Sequence, residues 1–576
     1  MAQNDFSERA FFTMIIFENE IKSKNQYEQT IDSIIQEIKS KNVSIVGILS
    51  DRNAELLYLI KALFDNRITF IPIDPLFPQE RIQYIIHDSN IKAIISQKKY
   101  KGQLSDMETF FIDDIKIEPS KRSNNYIEND IAYILYTSGS TGMPKGVEIT
   151  REALLNFFEG IAEIIDFFVG KRITCLTTVS FDIFFLESIM ALHYGLTVVL
   201  ANEDEQRNPK LMAKLIKDNA VDMIQLTPSR MQLLLNHDKS LSCLKNVKEI
   251  LIGGESFSLG LLRILQENTT AKIYNMYGPT ETTIWSTVSD LTDKEQVDIG
   301  RPIKNTKIYI VDESLYILPN GQAGEICIAG KGLANGYVGK NELTAERFIY
   351  LPQKPEVRVY RTGDLGRYLD DDSLEYLGRT DNQVKIRGYR IELEEIESQL
   401  NQIEGIKQSV VIALETSETE KILQAFYTSE SSVITKDISD YLSRKLPSYM
   451  IPVIFKRVES FIQTANGKID RKRVLECIEI KPDDVISQDP DSVELNDIQK
   501  RAFEVIISNL NEKALDNVSF ETDFASIGLD SITFIKMIVA LEGEFDFEFD
   551  DEMLLITKFP TVSSMIEYAE LKVNQM

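Results

Sequence analysis

The residues best suited to chemistry lie in YILYTSGSTGMPKGVEIT, Tyr133 to Thr150. A strand-like apolar run ends in the hydroxyls of Thr137, Ser138, Ser140 and Thr141, interrupted and followed by Gly139 and Gly142. Consecutive backbone N–H groups in such a turn form a concavity that binds an anion. Lys145 adds a mobile positive charge. The common phosphate loop, G-x-x-x-x-G-K-[ST], is a different pattern, since no Lys-Ser or Lys-Thr follows the second glycine. Taken alone, the stretch suits a phosphate or an ordinary surface turn.

The elements that must hold this loop are visible in the hydrophobic pattern. Short apolar runs such as VSIVGILS (43–50), FIPIDP (70–75), IAYILYT (131–137), LTVVLA (196–201) and KEILIGG (248–254) read as strands. Helical patterns such as PKLMAKLIKDNA (209–220) lie between them. This alternation predicts α/β layers with parallel strands. From about residue 300 the runs IGRPIKNTKIYIVDES, GEICIAG and SLEYLGR are β-rich with turn punctuation, as in a small barrel or distorted sheet. A short hairpin running into a helix is expected over 378–400, then a compact α+β unit to about 480. IKPDDVISQDPDSVE (480–494) reads as a linker. The remainder is helical and acidic, with 16 Asp/Glu against 6 Lys/Arg from Leu495 onward.

Composition narrows the function classes. A chain of 576 residues holds more than one domain. Its net charge of −26 argues against nucleic acid or an anionic membrane as partner. It does not exclude one small phosphate compound in a local basic pocket. No apolar run reaches membrane-span length and no secretory signal is expected. Cys175, Cys243, Cys327 and Cys477 lack C-x-x-C spacing and read as reduced thiols, so a cytoplasmic location is expected.

Five further segments accompany the loop in order: PIDPLFPQERI (72–82), NMYGPTETT (275–283), YRTGDLGRY (360–368), GRTDNQVKIRGYRIE (378–392) and NGKIDR (466–471). Together they resemble the adenylate-forming superfamily, which includes acyl-CoA ligases, luciferases and nonribosomal peptide synthetase adenylation domains. The resemblance covers roughly residues 30–480. It implies ATP and Mg²⁺ as cofactors and attack of a carboxylate on the α-phosphate. It places Thr137, Ser138, Gly139, Ser140, Thr141, Gly142 and Lys145 at the β/γ-phosphates. It places Tyr277 on the adenine face and Asn275 at its edge, Asp364 and Arg379 at the ribose, and Thr280 at the α-phosphate. Glu281 would hold Mg²⁺, and Lys468 would bridge the substrate carboxylate and the developing charge. Asp381 would be the hinge about which the following unit rotates.

FDIFFLE (181–187) resembles the segment that opens the acid pocket of peptide-synthetase adenylation domains. Asp182 falls where that family keeps an aspartate for the substrate's α-ammonium. A charge in an otherwise apolar pocket needs a partner, which favours an amino acid over a fatty or aryl acid. A helix-capping aspartate is the alternative use of the same residue. By the same resemblance the other walls are Ile183, Leu186, Gln225, Leu251, Gly253, Met276, Ile284 and Trp285. Most are bulky, which favours the smallest acid: glycine is expected and alanine is the second choice.

FASIGLDSITFIKMIVALEGEF (524–545) resembles the phosphopantetheine segment of carrier proteins, with Ser531 after Asp530 at the start of a helix. A helix N-terminus favours an anionic phosphodiester; it also suits a plain N-cap serine. Peptidyl carriers more often read GGDS, whereas Gly-Leu precedes Asp530 here. The implied organisation is an adenylation core (1–380), a mobile α+β subdomain (381–480), a linker (481–494) and a four-helix-bundle carrier (495–576). The implied partners are a phosphopantetheinyl transferase and a condensation, ketosynthase or tailoring protein acting in trans. A CoA ligase and a catalytically inactive adenylate-binding scaffold are the competing functions. Ser531 and Asp182 weigh against the first; retention of Lys468 and Glu281 weighs against the second.

Overall fold

The computed structural model describes residues 14–104, 107–114, 128–139, 142–386, 388–415, 421–429, 435–458, 460–462, 469, 471–476, 497–510, 524, 531–545, 547, 549–550, 553, 558–559 and 561–575. They group into two compact units. One spans 1–402 with 415–421 and 436–451; the other spans 403–414, 422–435 and 452–576.

In the first unit, alternating strands and helices build two large sheets. A seven-stranded sheet carries Ile45–Leu49, Thr69–Ile73 and Ala93–Ser96 in parallel, next to Ile131–Thr137. The strand Lys145–Thr150 returns antiparallel to Ile131–Thr137. A nine-stranded sheet sets Thr197–Leu200, Arg172–Cys175, Met223–Leu226, Glu249–Gly253 and Lys272–Tyr277 side by side in parallel. Its other end contains Met14–Phe17, parallel to Thr197–Leu200. Sequence reading gives the first 30 residues no assignment, because a four-residue apolar run cannot be told from the end of a helix by periodicity. Pairing in the sheet decides it.

Both large sheets bury their strands on two faces, as parallel sheets do. One apolar core runs through Phe70, Tyr133, Phe157, Phe184, Phe185, Leu251 and Trp285. Helix starts follow local chemistry: Asn53 accepts a hydrogen bond from the Leu56 amide, and Thr150 accepts one from Ala153. Each satisfies an amide that the first helical turn leaves open. The β-rich region forms an antiparallel sheet of five strands, including Gly324–Gly330, Lys354–Tyr368 and Leu374–Arg379. The hairpin Val384–Ile386 with Tyr389–Ile391 leads into the helix Leu393–Leu400.

In the second unit, Ile406–Glu415, Lys421–Ser429 and Ile454–Arg457 form a three-stranded sheet. The helices Asp497–Asn509, Ser531–Phe545 and Val562–Gln575 share an apolar core that includes Ile506, Phe534, Met537, Leu541 and Met565. Among the described residues no helix is long and apolar enough to cross a membrane.

Candidate functional site

The glycine-rich loop leaves one strand and returns on its neighbour, so that Thr137 stands opposite Lys145 in the ladder. The Thr137 hydroxyl oxygen is buried with no hydrogen-bond partner among the described residues. Gly142 adopts φ +82°, which glycine takes without strain. Ser138 and Gly139 already have partners: the Ser138 hydroxyl donates to the Arg390 carbonyl at 2.8 Å, and the Gly139 N–H donates to Glu395 Oε2 at 3.1 Å. Ser140, Thr141 and Lys468 lie outside the described residues.

Lys145 and Glu281 are both buried, with Nζ 3.3 Å from Oε1. Tyr337 donates its hydroxyl to Glu281 at 2.8 Å, and Arg390 donates to the other carboxylate oxygen at 2.6 Å. Burial pushes the Glu281 carboxyl up, but the Arg390 and Lys145 charges outweigh it and hold the group well below the usual carboxylate range. Burial lowers Lys145, with Glu281 opposing that shift.

On the ribose side, Asp364 and Arg379 are cross-strand partners. Arg379 donates to Asp364 Oδ1 at 2.6 Å, and the Tyr277 hydroxyl donates to Oδ2 at 2.7 Å. The same guanidinium donates to both oxygens of Asp381, at 2.6 and 2.8 Å. Burial pulls the Asp381 carboxyl up, and the Arg379 hydrogen bonds and charge bring it net below its ordinary value. Asn275 is buried on the strand Lys272–Tyr277, and its amide nitrogen donates to the Asp298 carbonyl at 2.7 Å. One of its two N–H donors is therefore engaged by main chain, leaving the other and the carboxamide oxygen for an adenine edge.

Of the expected acid-pocket residues, Ile183, Leu186, Leu251, Met276, Ile284 and Trp285 belong to one apolar core. Asp182, Ile183, Leu186, Gln225, Leu251, Met276, Ile284 and Trp285 are all buried. A Cβ added at Gly253 would lie 2.6 Å from the Met276 carbonyl oxygen and 2.8 Å from Trp285 Cη2. The indole thus occupies the space over this glycine, and a side chain there would force backbone or ring aside. Gln225 Oε1 and Trp285 Nε1 are buried without hydrogen-bond partners among the described residues. Such atoms are costly to leave unpaired and mark a place for a polar ligand group. Ile183 and Gln225 also line a cavity of about 30 Å³ bounded by Thr227, Arg230, Gly388 and Tyr389. Space of that size holds a water or two.

Asp182 occupies the N-cap position of a short helix but makes no capping hydrogen bond. Burial pushes its carboxyl up to about 6, with the Thr280 hydroxyl and the Lys385 charge pulling the other way. A carboxylate this strained by desolvation gains most from a bound cation.

Sequence reading assigns no role to Arg390, Tyr337, Lys385, Arg81 or Glu395. Arg390, Lys385 and Glu395 lie in or beside the segment taken as the hinge motif, and the burial of Glu281 demands cations from somewhere. That demand is the only sequence-level signal, and it does not say which cations answer it.

The donor set suits a nucleotide. An unpaired threonine hydroxyl and a buried lysine flank the loop, and Asp364 offers an acceptor-only carboxylate to a diol. For Mg²⁺, Glu281 is one ionised hard-oxygen ligand, which suits an ion that takes few protein carboxylates and otherwise binds phosphates and water. For phosphopantetheine, Ser531 is the first residue of a 15-residue helix; its side chain lies outside the description.

Fold and site together define a layered α/β nucleotide-binding protein followed by a helical bundle. The family of AMP-binding enzymes matches residues 15–338, its C-terminal domain matches 395–468, and the phosphopantetheine attachment site matches 503–569. The chain belongs to the AMP-binding enzyme family and carries a carrier-type domain behind it. It is 37% identical over 445 residues to gramicidin S synthase 2 of Aneurinibacillus migulanus, covering 75% of this chain and 10% of that protein. It therefore spans about a tenth of that relative's length. A solved four-domain nonribosomal peptide synthetase bound to AMP and glycine is 30% identical, with a TM-score of 0.60, covering 99% of this chain and 42% of the other. A nonribosomal peptide synthetase protein containing adenylation and PCP domains, bound to a vinylsulfonamide inhibitor, shares the fold. Its TM-score is 0.79 at 23% identity, covering 99% and 96% of the two chains.

Proposed function

We propose that this chain activates glycine as glycyl-AMP and transfers it to a phosphopantetheine arm on Ser531, as one adenylation–carrier unit of a nonribosomal peptide pathway. The observation that carries the reading is the pocket at Asp182. It has one desolvated carboxylate, bulky apolar walls, and an indole packed over Gly253. A close-packed wall accepts an added methyl only with strain, so alanine is disfavoured sterically.

In the first half-reaction an oxygen of the glycine carboxylate forms a bond to the α-phosphorus of ATP. The bond to the β-phosphate bridging oxygen breaks, and its electron pair leaves with pyrophosphate. The protein's work is positioning and charge neutralisation. Asp182 holds the ammonium, Asp364 and Arg379 the ribose, Tyr277 the adenine face, and Thr137, Ser138 and Lys145 the terminal phosphates. Thr280 lies at the α-phosphate, and Lys468 bridges substrate carboxylate and phosphate. Mg²⁺ at Glu281 would neutralise phosphate charge. In the second half-reaction the unit beyond Asp381 rotates, Lys468 withdraws, and the pantetheine thiol supplies the nucleophile that displaces AMP. Family membership, the phosphopantetheine match and the peptide-synthetase relatives support this assignment.

The test is intact mass after coexpression with a phosphopantetheinyl transferase, then incubation with ATP, Mg²⁺ and glycine. The expected result is a gain of one pantetheine arm, then of one glycyl group, both absent in Ser531→Ala. An unmodified mass under all conditions contradicts the carrier assignment.

A further inference from the structure

Glu395 is almost wholly buried, and each of its carboxylate oxygens is held by a different donor. Oε1 accepts from Arg81 Nη1 at 2.8 Å, and Oε2 accepts from the Gly139 N–H of the glycine-rich loop at 3.1 Å. The contact extends along the segment. Ser138 donates to the Arg390 carbonyl and accepts from the Glu392 amide, at 2.8 and 3.3 Å. A Cβ on Gly142 would lie 2.5 Å from Ser398 Oγ. Residues of the segment 390–398 thus lie directly against Ser138, Gly139 and Gly142 of the loop.

A carboxylate bridging a loop amide and a buried guanidinium copies the demands of a phosphate: anionic oxygens, an N–H donor and an arginine. Arg81 also keeps its Nε buried without a partner among the described residues, so it holds a donor in reserve. Withdrawing Glu395 alone would strand a buried guanidinium, which is strongly unfavourable. Another anion arriving at the same place removes that penalty.

We propose that Arg81 and the Gly139 N–H form one anion site with two alternative occupants. One is the Glu395 carboxylate, as seen here; the other is the terminal phosphates of ATP, or pyrophosphate after the reaction. The inference rests on the adenylation reading above. It adds Arg81 to the phosphate-binding residues and makes Glu395 an internal competitor. ATP can enter only when residues 390–398 lift from the loop, and they can return only once pyrophosphate has left. An adenylate, which lacks these phosphates, does not compete. Glu395 is thus a positioning residue that ties the order of the two half-reactions to pyrophosphate release.

The experiment is calorimetric titration of the full chain with inorganic pyrophosphate and Mg²⁺, without amino acid, alongside steady-state kinetics of both half-reactions. Glu395→Gln should tighten pyrophosphate binding about tenfold, as expected when an occluded form is no longer favoured. It should lower KM for ATP in exchange while slowing kcat of thioester formation. Glu395→Asp, which keeps the charge but cannot span both donors, should shift both in the same direction by less. It serves as the second variant if the amide disturbs folding. Arg81→Met in the Glu395→Gln background should abolish the gain. Unchanged or weaker pyrophosphate affinity in both Glu395 variants overturns the proposal. The titration needs no amino acid, so it decides this point even if every amino acid fails to support exchange, a result that would instead defeat the glycine-activation reading.

Discussion

The acid pocket is built on the nine-stranded sheet and the phosphate loop on the seven-stranded one, and the two solve recognition in opposite ways. The pocket is filled by the protein's own apolar side chains and keeps one desolvated carboxylate, with the Thr280 hydroxyl beside it, and two polar atoms without hydrogen-bond partners among the described residues. The loop region is crowded with charges, almost all of them paired: Lys145 and Arg390 with Glu281, Arg81 with Glu395, Arg379 with Asp364 and Asp381. On the proposed function, selection in the first comes from volume and from one desolvated charge, and binding in the second comes from exchanging one set of ionic partners for another. A packed core discriminates by shape, while a network of ion pairs changes state because each pair has an alternative.

Substitutions that remove a partner separate the two regions. The largest effect is expected at Asp182. Asp182→Ala removes the carboxylate proposed to hold the ammonium, and loss of one member of a buried charge pair costs about 2–5 kcal/mol. Exchange with glycine should fall by roughly a hundredfold or more in kcat/KM, with KM for ATP nearly unchanged. An equal rise in both KM values would merge the two sites into one and break the comparison.

Trp285→Ala comes next. Emptying a buried indole costs about 3–5 kcal/mol of stability. In the variant that remains folded, larger amino acids should gain exchange relative to glycine. A variant that is destabilised but keeps its substrate preference shows the indole to be core rather than pocket wall.

On the nucleotide side, Asp381→Pro should block thioester formation while sparing pyrophosphate exchange, because the hinge backbone is needed only between the half-reactions. Equal loss of both defeats the hinge assignment.

The smallest effect is in pH dependence. The Asp182 carboxyl titrates near 6 because burial disfavours its charge. Only the ionised form pairs with an ammonium, so KM for glycine should rise about tenfold per unit as pH falls below 6. Stability runs the other way. A carboxyl raised above its unfolded value destabilises the substrate-free fold increasingly as pH rises from about 4 to 6. Asp182→Asn should then be more stable than the parent at pH 7, by on the order of 2–3 kcal/mol. A glycine KM that is flat from pH 5 to 7 removes Asp182 from ammonium recognition.

The difference between the two regions also explains what could be read from sequence. Strands such as IAYILYT and KEILIGG declare themselves by apolar runs and turn residues, and they appear as Ile131–Thr137 and Glu249–Gly253. The burial of the apolar residues expected as pocket walls was reachable, because hydrophobicity alone predicts it. Charge pairing was not reachable. Arg390 is one of many arginines, and its bond to Glu281 joins residues 109 apart; Arg81 and Glu395 are 314 apart. No local period or propensity encodes such a pair, since it exists only after the hairpin 384–391 and the helix 393–400 have folded against the loop. Met14–Phe17 was hidden for a related reason: four residues carry too little pattern, and only the neighbouring strand makes them a strand.

We propose at the centre that a filled pocket with one desolvated carboxylate selects glycine. The most direct test is amino-acid-dependent ATP–pyrophosphate exchange across the proteinogenic amino acids, with β-alanine and benzoate added. Strong exchange with glycine, and little with alanine, is the expected result. Strong exchange with a large amino acid, or only with benzoate, contradicts it.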